Sequence, residues 1–371
     1  MTAVKILTQH WVDAEVEVLA SAWSAPPTFA LIPDKIGSGS DLVAPWLETL
    51  TPMFQAGHFM LLTSGSTGTP KLIVGKRERA EALVRVLHRL QDLEALEETL
   101  VTLPLTYSYA FVNQWLWSRV FRRRLVLTRG LAEPDHLRER LASASQAMLC
   151  LVGAQVPLLL QHFCHESFPG VIRLNFAGGR FPQEQLPALA RLFPKAQVFN
   201  NYGCAEALPR LTVRKAEDAD EARILGFPID GVELSTDTDS NLLFRSPYGA
   251  VGIVEDGAFH PVADGDWIAT GDLGERRADG RWQLLGRASE VFKRYGEKLS
   301  LAAIAATVNS AWPGQCGFYR EADPSGEEGY VLVLAPMADA ASLRAVLHAF
   351  RAGHTRPHWP LRIEAVAAMP L

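Results

Sequence analysis

An apolar run, Phe59-Met60-Leu61-Leu62, is followed directly by Thr63-Ser64-Gly65-Ser66-Thr67-Gly68-Thr69-Pro70-Lys71, and no other junction constrains the chain as much. The run reads as a buried strand, which the Gly- and hydroxyl-rich residues after Leu62 cannot continue. Gly65 and Gly68 open backbone angles closed to other residues, so successive N–H groups can converge on one anion. The hydroxyls add donors and Lys71 adds a full positive charge. The stretch is a phosphate cradle. It is not the mononucleotide P-loop, which needs glycine directly before lysine and then Ser or Thr; here Pro70 precedes Lys71 and Leu72 follows it.

At 371 residues the chain has room for two or three domains and a sizeable core. Hydrophobic residues make up 48% and charged residues 21%, a globular balance. The net charge of −5 gives no general reason to expect nucleic acid or an anionic membrane as partner. Cys150, Cys164, Cys204 and Cys316 are widely spaced and form no CxxC pair, the pattern of a reduced cytosolic protein. His162-Phe163-Cys164-His165 lacks a second ligand cluster, so no metal is assigned there. A secretory leader pattern and a long uninterrupted apolar stretch are both missing, which makes a soluble, cytoplasmic protein the expectation.

Along the chain, Trp11 to Leu19 is spaced for a short helix, Phe29 to Pro33 for a strand, and Asp41 caps a helix running to Leu50. Lys76 to Leu96 reads as one long amphipathic helix. Strands at Val101–Leu105, Leu125–Thr128, Ala147–Val152, Val171–Phe176 and from Gln197 alternate with helices at Asp135–Ala144 and up to Phe163. That alternation argues for a parallel α/β layer. From Leu225 to Leu285 short strands and Gly-rich turns replace it, as in hairpins or a small barrel.

Three later stretches carry chemistry. Gly178-Gly179 closes a strand and lets a flat group approach the backbone. Asn201-Tyr202-Gly203-Cys204-Ala205-Glu206 offers a ring and a hard carboxylate, the kind of oxygen ligand magnesium prefers. Thr270-Gly271-Asp272 offers a carboxylate that can accept two hydroxyl hydrogen bonds. A fourth stretch, Gly286-Arg287-Ala288-Ser289 through Gly296-Glu297-Lys298-Leu299-Ser300, comes after the last short strand.

Taken in order, these motifs resemble those of the adenylate-forming (AMP-binding) superfamily, in its acyl- and aryl-CoA synthetase branch. The resemblance spans roughly residues 59–300. It implies an α/β fold. A large multi-layer N-terminal domain (1–285) would hold parallel sheets and a small β-barrel-like part. A small mobile α+β domain (286–371) would come after it. It implies that Thr63, Ser64, Gly65, Ser66 and Gly68 hold the ATP phosphates, with Lys71, Thr67 and Glu206 as the catalytic groups and Glu206 the magnesium ligand. Gly178, Gly179, Asn201, Tyr202 and Gly203 would meet the adenine side, and Asp272 and Arg287 the ribose side. Tyr107, Tyr109, Phe111, Gly153 and Cys204 would wall the acid pocket, with Tyr107 where the family has a gating histidine. Ala205 replaces a threonine of the family pattern, and Ser289 stands at the hinge position usually held by Asp or Lys. The sequence looks shortened at both ends, and it stops at Ala368-Met369-Pro370-Leu371, where the family's late lysine loop would begin.

The implied reaction is ATP-dependent activation of a carboxylic acid to an acyl- or aryl-adenylate, then thioester formation on CoA or on the phosphopantetheine of an acyl carrier protein. The stretch Tyr107 to Asn113 contains no acid to pair with an α-ammonium group, so its aromatics favour an aryl or medium acyl acid over a free amino acid. The competing reading is a degenerate homologue that binds nucleotide or acyl ligand without full turnover.

Overall fold

A computed structural model describes residues 5–34, 43–45, 50–64, 70–219, 221–255 and 257–367. The chain divides into two compact units: Met1–Thr270 with Gly274–Leu284, and Gly271–Leu273 with Leu285–Leu371. The fold is α/β, with mixed sheets flanked by helices, as the sequence suggests.

In the larger unit, one sheet runs in the order Lys5–Thr8, Phe29–Ile32, His58–Ser64, Pro70–Lys76, Gly252–Glu255, Ala258–Pro261. Phe29–Ile32 lies parallel to both neighbours and all four of its residues are buried. A strand covered on both faces needs such an unbroken apolar run. His58–Ser64 then doubles back as Pro70–Lys76, in register from His58 opposite Lys76 to Ser64 opposite Pro70. The ladder therefore continues to the very start of the Gly- and hydroxyl-rich stretch and sets Thr63 across from Lys71. Gly65, Ser66, Thr67 and Gly68 lie outside the described residues, as does most of the expected Asp41–Leu50 helix.

The second sheet has the order Thr212–Lys215, Gln197–Tyr202, Val171–Phe176, Ala147–Leu151, Glu98–Val101, Arg124–Leu127. All its pairings are parallel except the first, which is antiparallel. The carboxyl ends of its strands lead directly into Gly153, Gly178-Gly179 and Gly203, where ligands of open α/β sheets bind. A third sheet joins Ile224–Gly226, Trp282–Arg287, Ile268–Arg276, Asn241–Arg245 and Glu233–Thr236.

One helical expectation changes, and one stretch that the sequence left without an element is helical. The helix expected over Lys76–Leu96 runs only from Arg77 to Leu90. Asp92 takes a left-handed φ of 49°, its N–H bonding Arg89 O at 3.2 Å while Leu93 N–H reaches back to His88 O at 3.0 Å. This is a Schellman closure with aspartate in glycine's usual place. Leu93 and Leu96 still reach the core, from the loop beyond it. The aromatic stretch after Pro104 is helical: a turn at Ser108–Ala110 passes into a π-wound segment, Phe111–Leu116, and then Trp117–Phe121.

The smaller unit pairs a hairpin, Val291–Arg294 with Glu297–Ser300, and a three-stranded sheet, Gln315–Ala322, Glu328–Ala335 and Arg362–Ala365. Its helices Leu301–Ala311 and Ala340–Gly353 are capped by Ser300 and Asp339. Leu299, Ile304, Val308, Tyr330, Leu332, Val346 and Phe350 form its core. Among the described residues, no helix is long and apolar enough to cross a membrane. The four cysteines are free.

Candidate functional site

Lys71 is the second residue of the strand Pro70–Lys76, and its Nζ lies 2.9 Å from Glu255 Oε1. The register explains the pair: Val254 sits opposite Leu72, so the next residue reaches Lys71. Both side chains are largely shielded, at 18% and 28% exposure. Thr63, half-buried, faces Lys71 across the ladder, and Ser64 closes its strand.

Tyr202 ends the strand Gln197–Tyr202 and is half-buried. Gly203 comes next because nothing larger fits: a Cβ there would stand 1.8 Å from Pro209 O and 2.9 Å from Arg210 Cα. The chain can therefore fold straight back over the turn that carries Cys204, Ala205 and Glu206. Glu206 is half-buried and enters no ion pair among the described residues. Its carbonyl accepts from Ala250 N–H at 2.8 Å, and the next amide, Val251 N–H, donates to Val74 O at 2.9 Å. Two consecutive amides thus tie the Glu206 turn to the strand that carries Lys71.

Gly153 is required by the neighbouring turn, since a Cβ on it would meet Arg180 O at 1.9 Å. Gly178 and Gly179 take φ of 72° and 78°, are exposed, and so present bare backbone at a strand's carboxyl end. The three aromatics of the expected acid pocket go to three different places. Tyr107 is 52% exposed. Tyr109 is buried, with its hydroxyl beside Cys150 and Arg210. Phe111 is fully buried and packs on Trp115, Phe59 and Trp23 at 4.9, 5.1 and 5.7 Å between centroids. Cys204 is half-buried at the start of the Glu206 turn.

Asn201 is buried in a chain of amides. Gln91 Nε2 donates to its Oδ1 at 3.0 Å, and its Nδ2 donates to Asn175 Oδ1 at 3.1 Å. In the smaller unit, Asp272 is buried and Arg287 Nη1 lies 3.1 Å from its Oδ1, so the two residues assigned to the ribose side stand together.

Sequence reasoning passed over three residues. Glu255 is visible only once the strands are in register. Arg210 and Asn113 left a readable trace: an arginine in Ala207-Leu208-Pro209-Arg210-Leu211 and an asparagine among Phe111, Val112 and Trp115 are polar groups in apolar runs. Arg210 is fully buried and donates from Nη2 to Asn113 Oδ1 at 2.6 Å.

The residues present fit a nucleotide and its metal in two respects. Glu206 is a carboxylate, the hard oxygen donor that magnesium prefers, with no internal cation claiming it among the described residues, and Lys71 is a cation at the start of the strand opposite Thr63. A 2-succinylbenzoate–CoA ligase of Salmonella typhimurium is 26% identical over 68% of the chain, and the chain covers 52% of that enzyme. A fatty acid–[acyl-carrier-protein] ligase, MmaC, of Mycobacterium marinum is 27% identical, covering 90% of the chain and 70% of the relative. The chain spans about half the length of the first of these relatives. The solved O-succinylbenzoate coenzyme A synthetase of Bacillus subtilis in complex with AMP superposes with a TM-score of 0.70 at 16% identity, covering 99% of this chain and 85% of that one. The family described as AMP-binding enzyme matches residues 40–244, more than half of the sequence, and this chain belongs to it.

Proposed function

We propose that the protein activates a carboxylic acid with ATP and passes the acyl group to a thiol. A carboxylate oxygen attacks the α-phosphorus, the bond to the β-phosphate oxygen breaks, and pyrophosphate leaves. The thiol sulfur of CoA, or of a carrier protein's phosphopantetheine arm, then attacks the carbonyl, and AMP departs as the thiol proton is lost. The chain's contribution is positioning and charge neutralisation, not covalent chemistry.

The observation that carries this reading is the backbone tie through Ala250 and Val251, which holds the Glu206 turn beside the strand of Lys71. This supports the reading because a polyphosphate and its metal need a cation and a carboxylate carried by one unit. Magnesium, bound with ATP, neutralises phosphate charge, and Glu206 is the ligand that the chain offers it. Thr63, Ser64, Gly65, Ser66, Thr67 and Gly68 are the groups we assign to the phosphates, and Gly178, Gly179, Asn201, Tyr202 and Gly203 those we assign to the base. Asp272 and Arg287 take the ribose. The names of the relatives support both acceptors, CoA and a carrier protein, and a solved neighbour carries ATP and a magnesium ion. Tyr107 and Tyr109 point to an aryl or medium acyl acid.

Pyrophosphate–ATP exchange with a panel of aryl and fatty acids, with and without CoA, tests the reading. Exchange with at least one acid, and thioester once the thiol is added, is expected. Measurable ATP binding without exchange or thioester for any acid would establish the binding-only alternative. Lys71→Ala and Glu206→Ala are each expected to weaken Mg·ATP binding by about tenfold, or about 1.4 kcal/mol. Unchanged affinity in both would remove the site assignment.

A further inference from the structure

We propose that Arg210, together with Tyr109, reads a second anionic group on the acid, so that the site selects acids bearing a carboxylate remote from the one activated. The inference rests on the acid-activation reading above and adds the substrate class to it.

The starting observation is a charge without a counter-charge. Arg210 is 0% exposed. A guanidinium carries N–H donors on all three nitrogens and does not deprotonate in a protein. Here Nη2 donates to Asn113 Oδ1, while Nε and Nη1 have no hydrogen-bond partner among the described residues. No carboxylate among those residues pairs with it. The face of the Tyr109 ring lies 5.5 Å from the guanidinium carbon, and a cation–π contact offsets part of the burial cost. The Tyr109 hydroxyl is itself buried, beside the neutral Cys150 thiol and the guanidinium, and brings no negative charge.

The neighbours cannot supply the missing charge. Burial pushes the Cys150 thiol up to about 12 and holds the Tyr109 phenol well above its usual range, so both remain neutral near pH 7. An isolated buried cation is expensive, and removal of one partner of a buried pair is what normally creates such a state. A ligand that brings the anion resolves it.

The position fits a substrate-reading group. Arg210 Cα packs over Gly203, in direct continuation of the Tyr202–Glu206 turn. Tyr109 and Asn113 stand on the segment that starts at the exposed Tyr107 and is π-wound from Phe111 to Leu116, a winding frequent at functional sites. Asn113 also lines a cavity of about 10 Å³ with Gln91, Met148 and Asn175, room for about one water. A carboxylate needs more space. Binding therefore requires the Tyr109 ring, which covers the guanidinium, to swing aside when the ligand enters.

The test is equilibrium binding by calorimetry to the full chain, with a non-hydrolysable Mg·ATP analogue present. The probes are succinate through sebacate against butyrate through decanoate, and terephthalate against benzoate. At the matching length the diacid is expected to bind at least about tenfold tighter than its monoacid. That preference disappears in Arg210→Gln and is reduced in Tyr109→Phe. Equal affinity for diacid and monoacid at every length in the wild-type protein overturns the inference, whether or not the variants fold. So does a preference that survives Arg210→Gln. Pyrophosphate–ATP exchange run on the same acids separates the two readings: diacids that bind selectively but support no exchange overturn acid activation and support the anion pocket.

Discussion

Replacing Glu255 with glutamine should tighten Mg·ATP binding, and the size of the effect is set by one ion pair. Lys71 Nζ and Glu255 Oε1 are 2.9 Å apart and mostly shielded. At that distance two unit charges attract by about 1.4 kcal/mol at the dielectric constant of water and about 6 kcal/mol at an effective constant of about 20. Desolvation and the ordering of two long side chains cancel most of this, and pairs at such exposure contribute about 1 kcal/mol net. In the ligand-free protein that is the cost of freeing Lys71 for a phosphate. Glutamine keeps the shape and the acceptor oxygen but removes the charge, so the cost falls and a negative charge near the polyphosphate disappears. The expected gain is about 1 kcal/mol, or about fivefold in Kd.

Titration of the wild-type protein and Glu255→Gln with Mg·ATP, at low and at high ionic strength, measures it. The gain should shrink as salt rises, because the pair is not fully buried. The control is a double-mutant cycle with Lys71→Ala: without the lysine, Glu255→Gln should change affinity far less. A Glu255→Gln protein that binds Mg·ATP as the wild type does, or more weakly, would refute the reasoning. It would mean that Lys71 stays on Glu255 when nucleotide binds and is not the phosphate cation.

Three further outcomes are expected. Gly203→Ala forces the backbone at Pro209 to move, since the new Cβ would lie 1.8 Å from its carbonyl oxygen; a loss of about 1–3 kcal/mol in urea unfolding is expected, together with weaker nucleotide binding. Phe111→Ala should cost about 3–5 kcal/mol of stability by opening a hole among Trp23, Phe59 and Trp115; a folded, fully stable variant with altered acid preference would place Phe111 in the pocket instead. Cys150, with its thiol pushed up to about 12 by burial, stays protonated in the folded protein while the unfolded chain ionises near its ordinary value of 9.0. The folded state then holds the extra proton, so this contribution is complete below about pH 9 and declines by about 1.4 kcal/mol per pH unit above it. The slope of stability against pH from 9 upward should flatten in Cys150→Ala.

The legibility of this chain tracks the range of the forces involved. Local signals were readable: the apolar runs Phe29–Ile32 and Phe59–Leu62 are buried strands, and Gly153, Gly178-Gly179 and Gly203 stand at strand ends. Each depends on burial or on a backbone angle within a few residues. What could not be read has two sources, a weak local stop signal and a contact between residues far apart in sequence. The stop at Leu90 needed the left-handed Asp92, which aspartate adopts less readily than glycine, so the apolar spacing of Leu93 and Leu96 extended the helix on paper. The ion pair of Lys71 with Glu255 exists only because the hairpin from Gly252 to Pro261 adds to the cradle's sheet.

The same distinction separates the aromatics of the acid segment. Tyr107, Tyr109 and Phe111 are alike in sequence, yet one is exposed, one covers a cation, and one is core. Their spacing of two residues would place them on one face of a strand, but the segment is helical, so successive pairs turn through roughly 200°. Phe111 therefore faces Phe59 and Trp115, while Tyr109 turns to Arg210. The polar residue that gives the segment its chemistry is Asn113, four beyond Tyr109 and one helical turn along, where its amide bonds Tyr109 O at 2.8 Å and accepts from the guanidinium. Helical spacing, not the count of rings, brings Tyr109, Asn113 and Arg210 together. A one-residue insertion or deletion in this segment should disturb the anion-reading end before it touches Lys71 or Glu206, since those two are held by the separate backbone tie through Ala250 and Val251.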